Sequence, residues 1–167
     1  MKEKDIATFN ENFFDLMEKD YGLLTAGTID NFNAMTISWG AIGTLWRRNT
    51  FTVYVRPSRF TYHFLTKQDY FTISYFPKSF HDKLTYLGTK SGRDEDKIKK
   101  CNLTPIAVKN NAVTYEEARL TFVCRKLYEA DFLPDSIPET VKNRFYLQKD
   151  YHRLFIGEIV QVLSSED

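Results

Sequence analysis

The chain has 167 residues, which fits one domain and leaves little room for a second. Hydrophobic residues make up 43% and charged residues 27%, a balance that excludes a disordered chain. The formal net charge of +1 argues against a nucleic-acid-binding protein, which needs a clustered positive field. Aromatic residues reach 16%, enough to build a dense core and to line a pocket for a flat ring system.

The N-terminus and the cysteines indicate a protein that stays in the cytoplasm. Residues 1–5 are mostly charged and lead into no apolar segment, so we expect neither a secretory signal nor a membrane span. Cys101 and Cys124 form no CxxC motif and are expected to be reduced thiols. Cys124 lies in an apolar strand pattern and should be core, whereas Cys101 should lie near the surface.

Taken in chain order, the elements begin with a short amphipathic helix over residues 9–19, where Phe9, Phe13, Phe14 and Met17 have helical spacing. Alternation predicts strands after it, over residues 21–29, 35–39, 51–56, 70–76, 118–128 and 154–163.

Helical spacing returns at Phe60–Leu65, and short helical stretches are expected in the polar segment 78–102. Basic residues within it, around Lys97, are expected on the solvated surface, as are Arg47 and Arg48. Strands joined by turns predict a mainly β protein, a closed or nearly closed antiparallel barrel with a few short helices, forming one domain over residues 1–167.

Several kinds of site lack a sequence signal. No GxGxxG follows a strand, and no GxxxxGK[ST] is present. His63, His81 and His152 lie too far apart in sequence to indicate a metal site, and no HExxH occurs. No serine or cysteine has the surroundings of a nucleophile, so hydrolytic and zinc chemistry are unsupported.

The first motif with chemical meaning is Arg-Pro-Ser-Arg-Phe-Thr at residues 56–61, which closes a strand and opens a helix. A helix start attracts anions through its free N–H groups. Two arginines and two hydroxyls, from Arg56, Ser58, Arg59 and Thr61, would complete a phosphate cradle. Alternatively, this is a capped helix with two solvent-exposed arginines.

The second motif is Asn-Ala-Met-Thr-Ile-Ser-Trp-Gly at residues 33–40. Its polar face presents small groups, so the backbone could approach a ligand and donate hydrogen bonds to the edge of a heterocycle. The alternative is a half-buried strand whose polar face meets water.

The third motif is the segment 88–97, Gly-Thr-Lys-Ser-Gly-Arg-Asp-Glu-Asp-Lys. Ser91 and Asp94 resemble a capping pair that opens a short helix, and Gly92 permits unusual backbone conformations. Such a loop could fold over a ligand, or it could be a charged surface loop.

In this order and spacing, the three motifs resemble the flavin reductase-like family, in particular its flavoredoxin branch. The segment 53–62 carries the first motif in its wider form, and Glu117-Ala118-Arg119 and the segment 151–159 also match. The similarity spans nearly the whole chain. Each motif alone is weak, but the ordered set is specific.

The resemblance implies a homodimeric, Greek-key antiparallel split β-barrel that binds flavin mononucleotide (FMN) near the subunit interface. Arg56, Ser58, Arg59 and Thr61 would hold the phosphate. The strand residues Asn33, Met35, Thr36, Ser38 and Trp39 would line the isoalloxazine edge, and the loop residues Ser91 and Gly92 would close over the ribityl chain or pyrimidine end. His152 could reach the flavin or a nicotinamide, or could be structural.

The implied activity is that of an NAD(P)H-dependent flavin reductase, in which a nicotinamide delivers hydride to flavin N5. The electrons then pass to free flavin, dioxygen, ferric iron or an acceptor protein, and no catalytic side chain is required. The main alternative is a flavoredoxin-type electron carrier with bound FMN and no nicotinamide site. A third is a flavin-binding barrel without redox function.

Overall fold

The computed structural model describes residues 1–165, so the expected end of the domain at residue 167 lies outside the described part. Within it the chain forms ten strands, and all their pairings are antiparallel. The strands are β1 (Lys2–Glu3), β2 (Gly22–Thr28), β3 (Asn31–Ile37), β4 (Gly40–Leu45), β5 (Arg48–Val55), β6 (Tyr70–Tyr75), β7 (Pro105–Ala107), β8 (Val113–Tyr115), β9 (Leu120–Asp131) and β10 (Arg153–Ser164).

The helices are short and lie in the connections between strands. The α-helices are α1 (Phe13–Asp15), α2 (Phe60–Leu65), α3 (His81–Thr89), α4 (Lys97–Lys100) and α5 (Glu139–Phe145). Single 3₁₀ turns occupy Ile6–Thr8, Lys78–Phe80, Lys109–Asn111 and Pro134–Ser136, and a π-helical turn over Leu16–Asp20 continues α1.

The main sheet has the order β3-β2-β6-β9-β10-β5-β4, with β1 added on β10. Its edge strands β3 and β4 are separated only by Ser38 and Trp39. Laid flat, six gaps of about 4.8 Å would place these edges roughly 29 Å apart. The three peptide links from Ile37 to Gly40 span at most about 11 Å. The sheet must therefore curl into a barrel whose two edges meet at Ser38–Trp39.

The barrel core consists of apolar side chains that alternate along the strands. Its large, fully buried members come from five strands and include Leu24, Phe51, Phe71, Ile73, Phe122 and Phe155. The N-terminal segment closes one end, because Phe9 and Phe13 pack edge-on against Phe122 and Phe51.

A second apolar cluster lies between the sheet and α3. Leu84 and Leu87 of α3 pack with Leu23 of β2, Ala34 of β3 and Tyr115 of β8. This packing places the end of α3, and the loop that follows it, beside β3.

The mainly β, antiparallel architecture confirms the predicted fold class, but several local predictions are wrong. The first helix begins at Phe13 instead of residue 9, and Phe14 is 80% exposed instead of buried. Cys101 is buried, because it packs with the second apolar cluster. Lys97 is buried too, since backbone carbonyls satisfy its ammonium. The sequence patterns did not predict strands β1, β4, β7 and β8 or helix α5.

Candidate functional site

Three segments that are distant in sequence enclose a cavity of about 220 Å³, named here the cationic cavity. They are strand β3, the start of α2, and the connection from the end of α3 to the start of α4. The lining residues are Asn33, Met35, Ser58, Arg59, Phe60, Thr61, Thr89, Lys90, Ser91, Gly92, Arg93 and Lys97. Seven of the residues predicted from the motifs are among them: Asn33, Met35, Ser58, Arg59, Thr61, Ser91 and Gly92.

A hydrogen bond between two buried side chains joins β3 to α2 at this cavity. The Asn33 amide donates from Nδ2 to Thr61 Oγ1 across 2.7 Å. Because the Thr61 oxygen accepts this bond, its hydroxyl hydrogen remains available for another acceptor. On the other side of Asn33, a Cβ added at Gly92 would lie 2.0 Å from Oδ1. The loop therefore approaches β3 this closely only because residue 92 is glycine.

Arg59 is half-buried and makes no ion pair among residues 1–165. It is the N-cap residue of α2, and its Nη2 donates to the carbonyl of Gly88 across 2.6 Å. Burial lowers the pKa of Arg59, and the nearby charge of Arg56 lowers it further. The side chain nevertheless remains a cation, because arginine titrates far above neutral pH.

Lys97 adds a second buried cation, which the sequence interpretation placed on the surface. It is 3% exposed, and its Nζ donates to the carbonyls of Leu87 and Lys90 at 2.8 and 2.9 Å. Burial lowers its pKa to about 8, with a smaller contribution from the charge of Arg59.

Arg93 closes the outer side of the cavity. Its guanidinium donates to the carbonyl of Ser58 across 3.2 Å, lies 3.0 Å from His63 Nε2, and stacks over the ring of Phe60. Within the described residues Arg59, Arg93 and Lys97 have no carboxylate in ion-pair contact. Three cations around one cavity, none of them ion-paired within the described residues, favour an anionic ligand.

The starting residues of α2 differ from the sequence interpretation in one respect. The capped helix of the alternative interpretation is not formed, because no side chain caps α2, which begins at Phe60 after the N-cap residue Arg59. The Ser58 hydroxyl instead donates to Asp150 Oδ2 across 2.5 Å.

Arg56 points away from the cationic cavity. It donates to the carbonyls of Phe145 and Asp150 at 2.8 and 3.2 Å and lies over the ring of Tyr146. Through these hydrogen bonds, Arg56 and Ser58 hold the segment 145–150 against the end of β5.

The loop residues of the third motif are also arranged differently from the prediction. Ser91 Oγ accepts a hydrogen bond from the backbone N–H of Arg93, but no helix begins there. The next helix is α4, and Asp96 caps it by accepting from the Lys99 N–H.

Thr36 does not line the cationic cavity. Its hydroxyl donates to the carbonyl of Leu84 across 2.5 Å, and its side chain packs against Gly88. Thr36 therefore fastens α3 to β3.

A second cavity is lined by Ser38 and Trp39 and lies where the two edges of the sheet meet. His152 lies beside this cavity but does not line it. This aromatic cavity has a volume of about 700 Å³ and shares no lining residue with the cationic cavity. Its lining residues are Phe13, Phe14, Met17, Glu18, Tyr21, Ser38, Trp39, Gly40, Tyr54, Phe132, Val141, Phe145 and Tyr146.

His152 is buried behind the wall of the aromatic cavity. Its ring lies 5.3 Å from that of Trp39, and its Nδ1 is 2.7 Å from the Tyr146 hydroxyl. Burial lowers the pKa of His152 to about 4, assisted by the charge of Arg56. The ring is therefore neutral at physiological pH.

Residues 1–165 contain neither a membrane-spanning helix nor a cluster of metal ligands. No helix there is long and apolar enough to cross a membrane. No three side chains of His, Cys, Asp or Glu are grouped as metal ligands would be.

Comparison with solved structures shows the same fold in flavin-binding proteins. A flavoredoxin from Methanosarcina acetivorans aligns with a TM-score of 0.71 and 21% identity, over 88% of this chain and 69% of that one. An FMN-binding protein from Thermus thermophilus aligns with a TM-score of 0.70 and 22% identity, over 99% and 82%. The flavoredoxin of Desulfovibrio vulgaris (Miyazaki F) gives 0.70 and 22%, over 99% and 78%.

Sequence comparison gives the family directly. No curated protein sequence matched the chain significantly. The family model described as the flavin reductase like domain matches residues 15–167, which include all three motifs and both cavities except for Phe13 and Phe14. The chain therefore belongs to the flavin reductase like domain family.

Proposed function

We propose that this protein binds FMN and acts as an NAD(P)H-dependent flavin reductase. The observation that carries the proposal is the cationic cavity, where Arg59, Arg93 and Lys97 surround one space without a carboxylate partner among the described residues. Such an arrangement suits a phosphate monoester, which carries nearly two negative charges at neutral pH.

The chemistry of the lining residues suits the phosphate end of FMN. Arg59 and Lys97 supply charge, and the free hydroxyl hydrogen of Thr61 supplies a neutral donor. Ser91 and Gly92, on the loop that approaches Asn33, would close over the ligand. A volume of about 220 Å³ accommodates this end and leaves the ring system to lie along β3, toward Met35, Ser38 and Trp39.

When bound, FMN supplies the capacity to accept a hydride or to pass electrons singly. The protein's part is to hold the cofactor and to place backbone N–H groups of β3 beside the ring edge. No side chain is assigned an acid or base role, since neutral His152 lies behind Trp39 and Tyr146. A nicotinamide donor and an electron acceptor, small molecule or protein, complete the proposed reaction.

The phosphate site is tested by titrating FMN and riboflavin into wild type and Arg59→Ala. A charge-assisted hydrogen bond is worth about 1.5–3 kcal/mol, so the variant should bind FMN roughly tenfold to a hundredfold more weakly. Riboflavin, which lacks the phosphate, should bind as before. Arg47→Ala, at an exposed hairpin turn, is the matched control. An unchanged ratio of FMN to riboflavin affinity in Arg59→Ala would refute the phosphate site.

The reductase activity is tested by adding NADH or NADPH anaerobically to the FMN-loaded protein and following the flavin absorbance. Rapid bleaching is expected. Bleaching only with dithionite or a reduced ferredoxin would instead establish the electron carrier. A bound flavin that responds to no reductant would show that the protein binds flavin without a redox function.

We further propose a two-fold homodimer, because four exposed apolar side chains border the aromatic cavity: Phe14, Trp39, Val141 and Phe145. Light scattering should give twice the chain mass. A monomer with FMN fully bound would contradict a flavin site shared between subunits.

A further inference from the structure

Lys97 is a buried amine in the wall of the cationic cavity. Its residue is 3% exposed, and its side chain lines the same space as Arg59 and Arg93. Among residues 1–165 no carboxylate lies within ion-pair distance of it. Lysine is almost never fully buried without such a partner, because burial disfavours its charged form. A ligand that enters the cavity therefore meets an amine that no carboxylate holds in the charged state.

The hydrogen bonds of Lys97 suit a neutral amine as well as an ammonium. Its Nζ donates to the carbonyls of Leu87 and Lys90 at 2.8 and 2.9 Å. A neutral amine has two N–H donors and one lone pair, whereas an ammonium has three donors. Both donors of the neutral form can stay on the two carbonyls while the lone pair takes the remaining direction. Deprotonation therefore costs Lys97 neither of these hydrogen bonds.

The neutral form of Lys97 is also populated near neutral pH. Burial lowers its pKa from the ordinary 10.5 to about 8, and the charge of Arg59 contributes. At pH 7.5 about a quarter of the protein then carries the neutral amine, against about one in a thousand for an ordinary lysine. Because only the neutral amine is a nucleophile, Lys97 should react with an electrophile that reaches the cavity.

The cationic cavity selects an electrophile that carries a phosphate. Arg59 and Arg93 offer guanidinium donors to an anion, and Thr61 offers a hydroxyl hydrogen. Thr89 and Arg93 are exposed lining residues, so the cavity opens to solvent beside them. Its volume is only about 220 Å³, so a ligand held by the arginines also lies against Lys97. An acyl phosphate suits this arrangement, because its phosphate is both the anion and the leaving group.

We propose that Lys97 is acylated by small acyl phosphates that bind in the cationic cavity. Arg59 and Arg93 hold the phosphate, and the Lys97 nitrogen attacks the acyl carbon. A C–N bond forms as the C–O bond to the phosphate breaks. The phosphate leaves with the electron pair of that bond and takes the proton lost by the nitrogen, while the arginines stabilise its charge. The products are an amide at Nζ and inorganic phosphate.

Acylation would obstruct the cavity in which it occurs. The amide is uncharged and has one N–H, so either the Leu87 or the Lys90 carbonyl loses its donor. The acyl group also occupies part of the space. Acylation should therefore weaken FMN at least about tenfold, a consequence that rests on the proposed function.

The test follows acetylation of the full chain, free of FMN, by acetyl phosphate at pH 8.5, with peptide mass spectrometry to measure each lysine. The alkaline buffer offsets the preference of bound phosphate for the charged amine. Lys97 should react at least about tenfold faster than Lys99, an exposed lysine of the same helix, and its rate should saturate with acetyl phosphate. Inorganic phosphate should slow the reaction at Lys97 and leave Lys99 unaffected. The N-hydroxysuccinimide ester of acetate, which has no phosphate, should instead favour exposed Lys99.

A pair of variants tests the role of the phosphate. Arg93→Ala removes one phosphate ligand and should slow acetylation of Lys97 by acetyl phosphate about tenfold. Arg47→Ala, at the exposed hairpin turn, should leave the rate unchanged. Thermal melting curves verify that both variants are folded.

Saturating FMN separates this proposal from the proposed function. It should protect Lys97 from acetyl phosphate, as inorganic phosphate does. Protection by inorganic phosphate but not by FMN would support acylation in the cavity and would contradict the FMN phosphate site.

Three results would overturn the proposal. Acetylation of Lys97 no faster than that of Lys99 would mean that the cavity does not promote the reaction. An equal preference for Lys97 with the neutral ester would mean that the amine reacts without binding a phosphate. Preferential acetylation of Lys90, whose exposed side chain also lines the cavity, would mean that the bound acyl group lies away from Lys97.

Discussion

The side-chain amide of Asn33 lies between two partners, donating to Thr61 Oγ1 while its own oxygen faces Gly92 with no room for a Cβ. Asn33 therefore fixes the distances between strand, helix and loop in the cationic cavity. An error of 1 Å in any of these distances would separate groups that a phosphate must contact together.

Gly92→Ala should accordingly damage ligand binding more than folding. The new Cβ would lie 2.0 Å from Asn33 Oδ1, so either the loop or the amide must move and the Asn33–Thr61 bond is strained. We expect FMN affinity to fall at least tenfold, measured by quenching of flavin fluorescence. Gly43→Ala is the matched control, because no atom lies within 4 Å of a Cβ there. Equal affinities for the two variants would contradict this account.

Arg56→Ala should lower the stability of the fold without affecting recognition of the phosphate. Its guanidinium is used by the carbonyls of Phe145 and Asp150, so its loss frees the segment 145–150. We expect the free energy of unfolding to fall by about 2 kcal/mol, measured with urea. The ratio of FMN to riboflavin affinity should stay within about twofold of wild type. A large loss of FMN affinity without a loss of riboflavin affinity would show that Arg56 binds the phosphate.

Lys97 should make FMN affinity depend on pH. Its pKa of about 8 means that it loses its charge as the pH rises above neutrality, whereas a phosphate monoester is already fully ionised there. FMN should therefore bind roughly threefold to tenfold more weakly at pH 9.5 than at pH 7. Bound phosphate stabilises the charged Lys97 amine, so in the complex the amine loses its proton only above pH 8. Lys97→Arg keeps its positive charge at pH 9.5, so its FMN affinity should change little between pH 7 and pH 9.5. A thermal melting curve verifies that the variant is folded.

His152 should make the protein sensitive to acid. Its pKa falls from 6.5 to about 4 on folding, so below pH 6.5 the unfolded chain binds a proton that the folded protein excludes. Stability should decrease as the pH falls from 6.5 to 4, by up to about 3 kcal/mol. His152→Gln should lose this part of the pH dependence, measured by urea unfolding at several pH values. An unchanged slope in the variant would show that His152 is not responsible.

The sequence predicted the parts of the cationic cavity that depend on local order. The segments around Asn33, Arg59 and Gly92 carry small, hydroxyl and basic residues, and these are the segments that the fold brings together. Lys97 was misassigned because a basic run usually lies in water, and only tertiary packing of α4 supplies its backbone acceptors.

The aromatic cavity could not be foreseen in the same way. Its walls come from residues between Phe13 and Tyr146, and no single segment carries enough of them to form a pattern. Strand β4 was missed because its alternation is weak, with Gly40 and Gly43 among its six residues. Its place in the barrel depends on pairing with β5 rather than on its own composition.

The position of β10 also has a consequence for biosynthesis. Among residues 1–165, this last strand lies between β9 and β5, and the hairpin of β4 and β5 is hydrogen-bonded to the rest of the main sheet through it, besides its chain connection to β3 at Ser38–Trp39. A nascent chain that has emerged only as far as β9 therefore exposes two unpaired strand edges, on β5 and β9, which are prone to aggregation. Until β10 leaves the ribosome, Tyr54 and Arg56 have no fixed position relative to Phe132 and Tyr146. The aromatic cavity can therefore form only after nearly all of the chain has been synthesised.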